Sequence, residues 1–177
     1  MPNTEELVVL VDENDNILGT APKATIHTNQ TPLHRAFSCF IFNSKGELLL
    51  QQRALHKITW PGAWANSCCG HPSPDESYKQ AAIRRVKEEL NLDIEPICIL
   101  PDYRYKAEFQ GVVENEICPV FAAKTDQAPI PNPEEINAID WQNWDTLDTS
   151  NLAIWTQEEV ELLKQSSQMN DFLSNLQ

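Results

Sequence analysis

One amphipathic helix set among short β-rich runs constrains this fold more than any other feature of the chain. Ser73 is placed to cap it, Pro74 sits at the first helical position and Glu76 at the third, a capping box with proline in its favoured place. The pattern predicts a helix from there to about Leu90, with Ala82, Ile83, Val86 and Leu90 as its apolar stripe. Arg85 and Glu89, like Arg84 and Glu88, are four residues apart, and spacing alone makes them ordinary helix ion pairs. Upstream, residues 7–11 and 17–18 flank a turn-forming cluster at 12–16, which predicts a hairpin. Residues 36–42 and 47–52 read as two strands joined by a turn at 43–46. Residues 60–74 read as irregular, rich in Pro, Gly, Cys and Trp, and such a stretch in a compact domain is often functional. Downstream, 97–100, 103–109, 117–123 and 136–141 read as strands, 157–165 as a helix, and a weaker helix reaches toward 176. Strands outnumber helices and do not alternate with them. This predicts an α+β sandwich with a mixed β-sheet between helices, not a doubly wound sheet.

The 177 residues hold no repeat and no linker, so a single domain is expected, with a core over about 5–145 and a helical C-terminal extension. The formal net charge of −13 repels a nucleic-acid backbone and argues against a nucleic-acid partner. An anionic metabolite is bound against the same charge only with a metal or a local group of Lys and Arg. No apolar run approaches the ~18 residues of a membrane span, and residues 1–11 have no basic residue before their apolar stretch. A soluble cytoplasmic protein is expected, monomeric or a small homo-oligomer. Cys39, Cys68, Cys69, Cys98 and Cys118 are odd in number and form no C-x-x-C pair, so reduced thiols are expected rather than a disulfide framework.

Three of the four histidines lie near other possible ligands: His27 and His34 flank a Thr/Asn/Pro segment, and His71 follows Cys69-Gly70. Glu114 and Glu116 flank Asn115, and in a strand they project to the same face. Paired carboxylates need a cation beside them. Three imidazoles and two carboxylates would suit octahedral Mn²⁺, Zn²⁺ or Fe²⁺.

Gly70, Glu76, Arg84, Val86, Glu88 and Glu89 fit most of the Nudix box, a loop and helix that gather carboxylates around a cation holding a diphosphate. Arg85 stands where the usual pattern has Glu, and Asn91 where it has Gly. In order along the chain come His27-x6-His34, Trp60-Pro61-Gly62, Asn66-Ser67-Cys68-Cys69-Gly70-His71-Pro72, Tyr103-Arg104-Tyr105 and Glu114-Asn115-Glu116. Over residues 5–145 this set resembles the type I isopentenyl-diphosphate isomerases of the Nudix superfamily. The resemblance implies a first metal site of His27, His34, His71, Glu114 and Glu116, taking Mn²⁺, Zn²⁺ or Mg²⁺. It implies that Glu89, helped by the Cys69 carbonyl, binds an Mg²⁺ carried in with the substrate diphosphate. Lys23, Arg53, Lys57 and Arg85 match the cations around that diphosphate, Cys69 the catalytic thiol, and Glu116 the catalytic carboxylate with Tyr105 beside it.

The implied reaction turns isopentenyl diphosphate into dimethylallyl diphosphate. One side of the alkene is protonated and a proton leaves C2 on the other, through a tertiary carbocation. Glu116 with Tyr105 suits the acid and the Cys69 thiolate the base, with His71 and the metal expected to lower its pKa. Trp64 and Trp155 are the aromatic faces expected near the cation, and the segment with Lys23 and His27 is the expected lid. Two other readings fit part of the pattern. A Nudix hydrolase of nucleoside diphosphates accounts for the helix but not for His27, His34, Cys69 and Glu-Asn-Glu together. A non-catalytic metal- or ligand-binding protein on the same fold has no use for an acid and a base.

Overall fold

The computed structural model describes residues 6–176. Residues 1–5, part of the stretch bearing on export, and Gln177 lie outside them. The predicted hairpin is β1 (Leu7–Val11) and β2 (Ile17–Pro22), followed by a single helical turn, α1 (Lys23–Ile26). Then come β3 (His34–Arg35), β4 (Phe37–Phe42), β5 (Glu47–Arg53), β6 (Trp64–Ala65), β7 (Cys68–Gly70) and α2 (Tyr78–Leu90). The second half runs β8 (Ile97–Leu100), β9 (Arg104–Phe109), β10 (Val112–Ile117), β11 (Val120–Lys124), β12 (Ile136–Asn143), α3 (Ile154–Gln165) and α4 (Ser167–Ser174).

Two mixed sheets result, one ordered β2-β1-β3-β10-β9 and the other β12-β5-β4-β11-β8, with β6 paired to β5 and β7 to β4. Their shared spine is a pair of parallel segments. β10 runs parallel to β3 with Glu116 opposite His34, and β11 runs parallel to β4 with Val120 opposite Ser38. Between them, Ala36 N–H donates to Ile117 O at 2.9 Å and Ser38 N–H to Pro119 O at 3.1 Å. The strand expected over 117–123 is therefore split. Pro119 has no N–H for a ladder, and the chain steps from one sheet to the other there.

β4 is buried on both faces. Phe37, Cys39 and Ile41 pack against Ala81, Ala82, Val86 and Leu90 of α2, while Phe40 and Phe42 pack against Val160, Leu163 and Met169 of α3 and α4. This is the expected α+β sandwich, and a fully buried Val or Leu contributes ~1.5–3 kcal/mol to it. No helix of the described residues is long and apolar enough to cross a membrane.

Two expectations need correction. The helix begins one turn later than Ser73 suggests: Ser77 is the N-cap, its side chain accepting from Gln80 N–H while Gln80 returns the bond. Ser73 and Glu76 instead close a preceding turn, and the Glu76 carboxylate is engaged by Arg84 at 2.6 Å. Residues 60–74 are not wholly irregular. β6 and β7 are too short to show alternation in sequence, and only pairing to β5 and β4 defines them. Asn91 ends α2 at φ 54°, the left-handed conformation that the usual Gly provides and Asn tolerates.

Candidate active site and metal centre

His27 follows α1, His34 lies on β3, His71 follows β7, and Glu114 and Glu116 project from one face of β10. The fold brings the five together: each offers a ligand atom, and those atoms all lie within 4.8 Å of one another. His71 Nε2 contacts Glu116 Oε1 at 3.1 Å. His27 Nε2 lies 3.1 Å from Glu114 Oε2 and His34 Nε2 3.4 Å from Glu116 Oε1. Yet His27 Nε2, His34 Nε2 and Glu114 Oε2 are buried without a hydrogen bond, so these contacts are close but misaligned. His34 Nδ1 sits 2.9 Å from Pro32 O. A carbonyl only accepts, so Nδ1 carries the proton and Nε2 turns its lone pair inward in the neutral ring. Buried, unpartnered nitrogen and oxygen converging on one point fit a divalent cation.

The electrostatics are divided: burial lowers the His34 pKa, but its contact with Glu116 outweighs this and raises it above the usual imidazole range. Burial raises Glu114 above the usual carboxylate range, with the Glu116 charge adding to it and His27 opposing. Burial would raise Glu116 too, but its contacts with His34 and His71 outweigh that and hold it well below the range. Burial drives His71 down to about 4, which keeps its ring neutral and able to ligate.

Tyr105 stands directly opposite Glu116 in the β9–β10 ladder. Burial, then the charges of Glu116 and Glu114, push its phenol well up, so it remains an O–H donor. Cys69 Sγ donates to Asn66 Oδ1 at 3.1 Å and lies 3.4 Å from Ser38 Oγ. Burial first, then the Glu159 charge, push this thiol well up. The help expected from His71 is not seen, because the His71 ring turns to Glu116 instead. Cys68 points the other way, fully buried in the core under α2. Cys68→Ala is expected to cost about 1 kcal/mol and leave turnover unchanged, measured by thermal melts beside an activity assay. Inactivation by this change would mean that the two thiols had been assigned the wrong way round.

A cavity of about 720 Å³ joins these groups. Cys69, Tyr105, His27, His71, Glu114 and Glu116 line it, as do Lys23, Arg53, Lys57, Arg85, Glu89 and Trp155. The four cations are held by neighbours: Lys23 by Glu6 at 3.0 Å, Arg53 by Thr59 O at 3.0 Å, and Lys57 by Glu135. Arg85 reaches Glu89 at 2.5 Å, Glu88 at 3.0 Å and Glu135 at 3.3 Å. Gly70 permits this approach, since a Cβ there would meet Arg85 Cγ at 3.2 Å and Phe37 Cε1 at 3.1 Å. Trp64 does not line the cavity; it packs on the core beneath α3 and α4. Trp60 takes that place, stacked on Phe109 and edge-on to Trp155, each at 5.3 Å. Its φ of +45° is rare for a bulky residue. Ser38, Gln51 and Glu135 also line the cavity. They went unnoticed in the sequence because nothing local marks them.

Residues 32–165 match the NUDIX domain family. Curated relatives named isopentenyl-diphosphate Delta-isomerase include one from Clavibacter michiganensis subsp. michiganensis, 52% identical over 143 residues, covering 80% of this chain and 74% of its own. One from Mycolicibacterium vanbaalenii is 45% identical over 172 residues, covering 92% and 95%. Among solved structures, a Deinococcus radiodurans protein superposes with a TM-score of 0.69 at 22% identity, covering 92% of this chain and 99% of that one. The MutT protein of Methanosarcina mazei superposes with a TM-score of 0.64 at 22% identity, covering 76% and 94%. Those two likenesses are of fold alone.

Proposed function

Because the chain belongs to the Nudix family and, within it, to the isopentenyl-diphosphate Delta-isomerases, we propose that it moves the double bond of isopentenyl diphosphate by one carbon to give dimethylallyl diphosphate. The observation that carries this reading is one cavity lined by a thiol, a phenol beside a carboxylate, and a group of cations. The cations suit the diphosphate, and the aromatic wall of Trp60, Tyr105 and Trp155 suits the hydrocarbon. In the reading, Glu116 and Tyr105 deliver a proton to C4. The alkene becomes a tertiary carbocation, and Cys69, ionised for this step against the burial that favours its thiol form, takes a proton from C2, leaving the double bond between C2 and C3. Aromatic faces steady such a cation by ~0.5–2 kcal/mol each. Cys69 and Tyr105 are half-buried in the cavity wall, so the segment with Lys23 and His27 would have to cover the site to keep water from trapping the cation.

His27, His34, His71, Glu114 and Glu116 would hold a Mn²⁺, Zn²⁺ or Mg²⁺ ion, and Glu89 an Mg²⁺ that arrives with the diphosphate. When bound, these ions supply positive charge that pairs the carboxylates and offsets the diphosphate. Arg85 occupies the place of a hydrolase carboxylate and pairs with Glu89, which favours holding a diphosphate over activating water.

Arg85→Lys is expected to raise KM about tenfold with kcat little changed, since it keeps the charge but loses the fork that grips two oxygens. Steady-state kinetics with an unchanged KM would remove Arg85 from the substrate contacts. The function itself is tested by incubating the protein with isopentenyl diphosphate and Mg²⁺ in D₂O, with and without EDTA, and following products by NMR. Deuterated dimethylallyl diphosphate, lost on chelation, is the expected result. Phosphate release from a nucleotide instead would make it a hydrolase, and no conversion by metal-loaded, reduced protein would leave only a binding role.

A further inference from the structure

Asn66 is fully buried behind the cavity, and its side chain makes five hydrogen bonds. Its Oδ1 accepts three hydrogen bonds: from Cys69 Sγ at 3.1 Å, Trp155 Nε1 at 3.2 Å and Thr156 Oγ1 at 3.0 Å. Its Nδ2 donates to Cys39 O and Cys68 O, both at 3.2 Å. These partners settle which end is which. Carbonyls only accept and an indole N–H only donates, so the carboxamide cannot be flipped. Its backbone N–H donates to Thr156 Oγ1 at 3.1 Å, and Thr156 is itself fully buried. The start of α3 is tied to the same place, Ala153 N–H donating to Trp64 O at 2.7 Å. Cys69 and Trp155 both line the cavity, while Asn66 and Thr156 do not. One carboxamide thus spans β4, β7 and α3 and holds a sulfur and an indole at fixed places in the wall.

We propose that Asn66 is a positioning residue for the proton transfer at Cys69, fixing the sulfur against the substrate and coupling its place to that of Trp155 through α3. The C-terminal helix is then part of the working site. An Asn66 oxygen already committed to Trp155 and Thr156 accepts the Cys69 S–H along one direction only. The sulfur is therefore held at one point while it carries its proton, as it does once the C2 proton has been received. Proton transfer falls steeply with misplacement, and an error of 1 Å costs about 100-fold.

This inference rests on Cys69 carrying the chemistry, and the test separates the two. Asn66→Ala is expected to lower kcat about 100-fold, with KM and metal content unchanged. It is also expected to raise the kinetic isotope effect on isopentenyl diphosphate deuterated at C2, because removal of that proton becomes slower than the other steps. Thr156→Val keeps the volume and the Asn66–Cys69 bond but frees one side of the carboxamide. A smaller kcat loss with the same rise in isotope effect is expected there, so the inference remains testable should Asn66→Ala fail to fold. A folded Asn66→Ala or Thr156→Val protein with a kcat loss but an unchanged isotope effect would make Asn66 merely structural and overturn the proposal. So would wild-type kcat in Thr156→Val. Wild-type turnover in Cys69→Ala would instead sink the assignment of the thiol.

Discussion

Cys69→Ala is expected to lower turnover about 10³-fold while leaving the metal content of the protein unchanged. The two halves of this expectation come from different parts of the site. The sulfur lines the cavity and contacts Asn66 and Ser38, but it is not among the five clustered ligands. On the proposed reading its loss removes a proton acceptor and leaves the five clustered side chains in place. The backbone carbonyl of residue 69, expected near the Mg²⁺ of the diphosphate, also survives the change. Turnover by NMR and metal analysis of the same sample measure both halves. Wild-type turnover would take Cys69 out of the chemistry, and loss of metal with turnover would make its role structural.

Stripping the cation with a chelator is expected to lower the melting temperature by about 10 °C and to abolish turnover, both restored by adding Mn²⁺, Zn²⁺ or Mg²⁺. An ion present at a thousand times its dissociation constant stabilises the folded state by about 4 kcal/mol. A domain of this size melts about 2–4 °C lower for each kcal/mol lost. The physical basis is the buried pair Glu114 and Glu116, with His27 Nε2, His34 Nε2 and Glu114 Oε2 lacking hydrogen bonds. Without the ion, two carboxylates are left close together with only misaligned imidazoles as company. A scanning melt with and without EDTA decides this, and an unchanged melting temperature would mean that the cluster holds no cation.

The cluster of three histidines and two glutamates was legible in the sequence in part because strand geometry is local. Residues 114 and 116 share a face whatever the rest of the chain does, and His27, His34 and His71 stand out through the motifs around them. The body of the long helix and most strands were legible through their apolar periodicity. What the sequence hid depends on contacts across long stretches of chain. Trp60 rather than Trp64 faces the cavity because Phe109 and Trp155 pack against it. Asn66 meets Trp155 and Thr156 across 89 and 90 residues. The cap at Ser77 was missed because Ser73 offered an equally good local signature, and Ser73 and Glu76 do bond to each other but close a turn ahead of the helix. The break at Pro119 was hidden inside an apolar run that a proline does not always interrupt.

The register of β10 against β3 sets a rule for where this chain tolerates changes in length. Glu116 faces His34 only in the present alignment, and a slip by one residue would present Asn115 and Ile117 to the imidazoles. The turn joining β9 to β10 is a tight one, with both Gln110 and Gly111 at positive φ. Residues added at that tip extend a loop in solvent and leave the ladder aligned. A single residue added between Val112 and Glu116 turns one or both carboxylates to the opposite face of the sheet. Two neighbouring insertion points, a few residues apart, thus separate harmless variation from loss of the site.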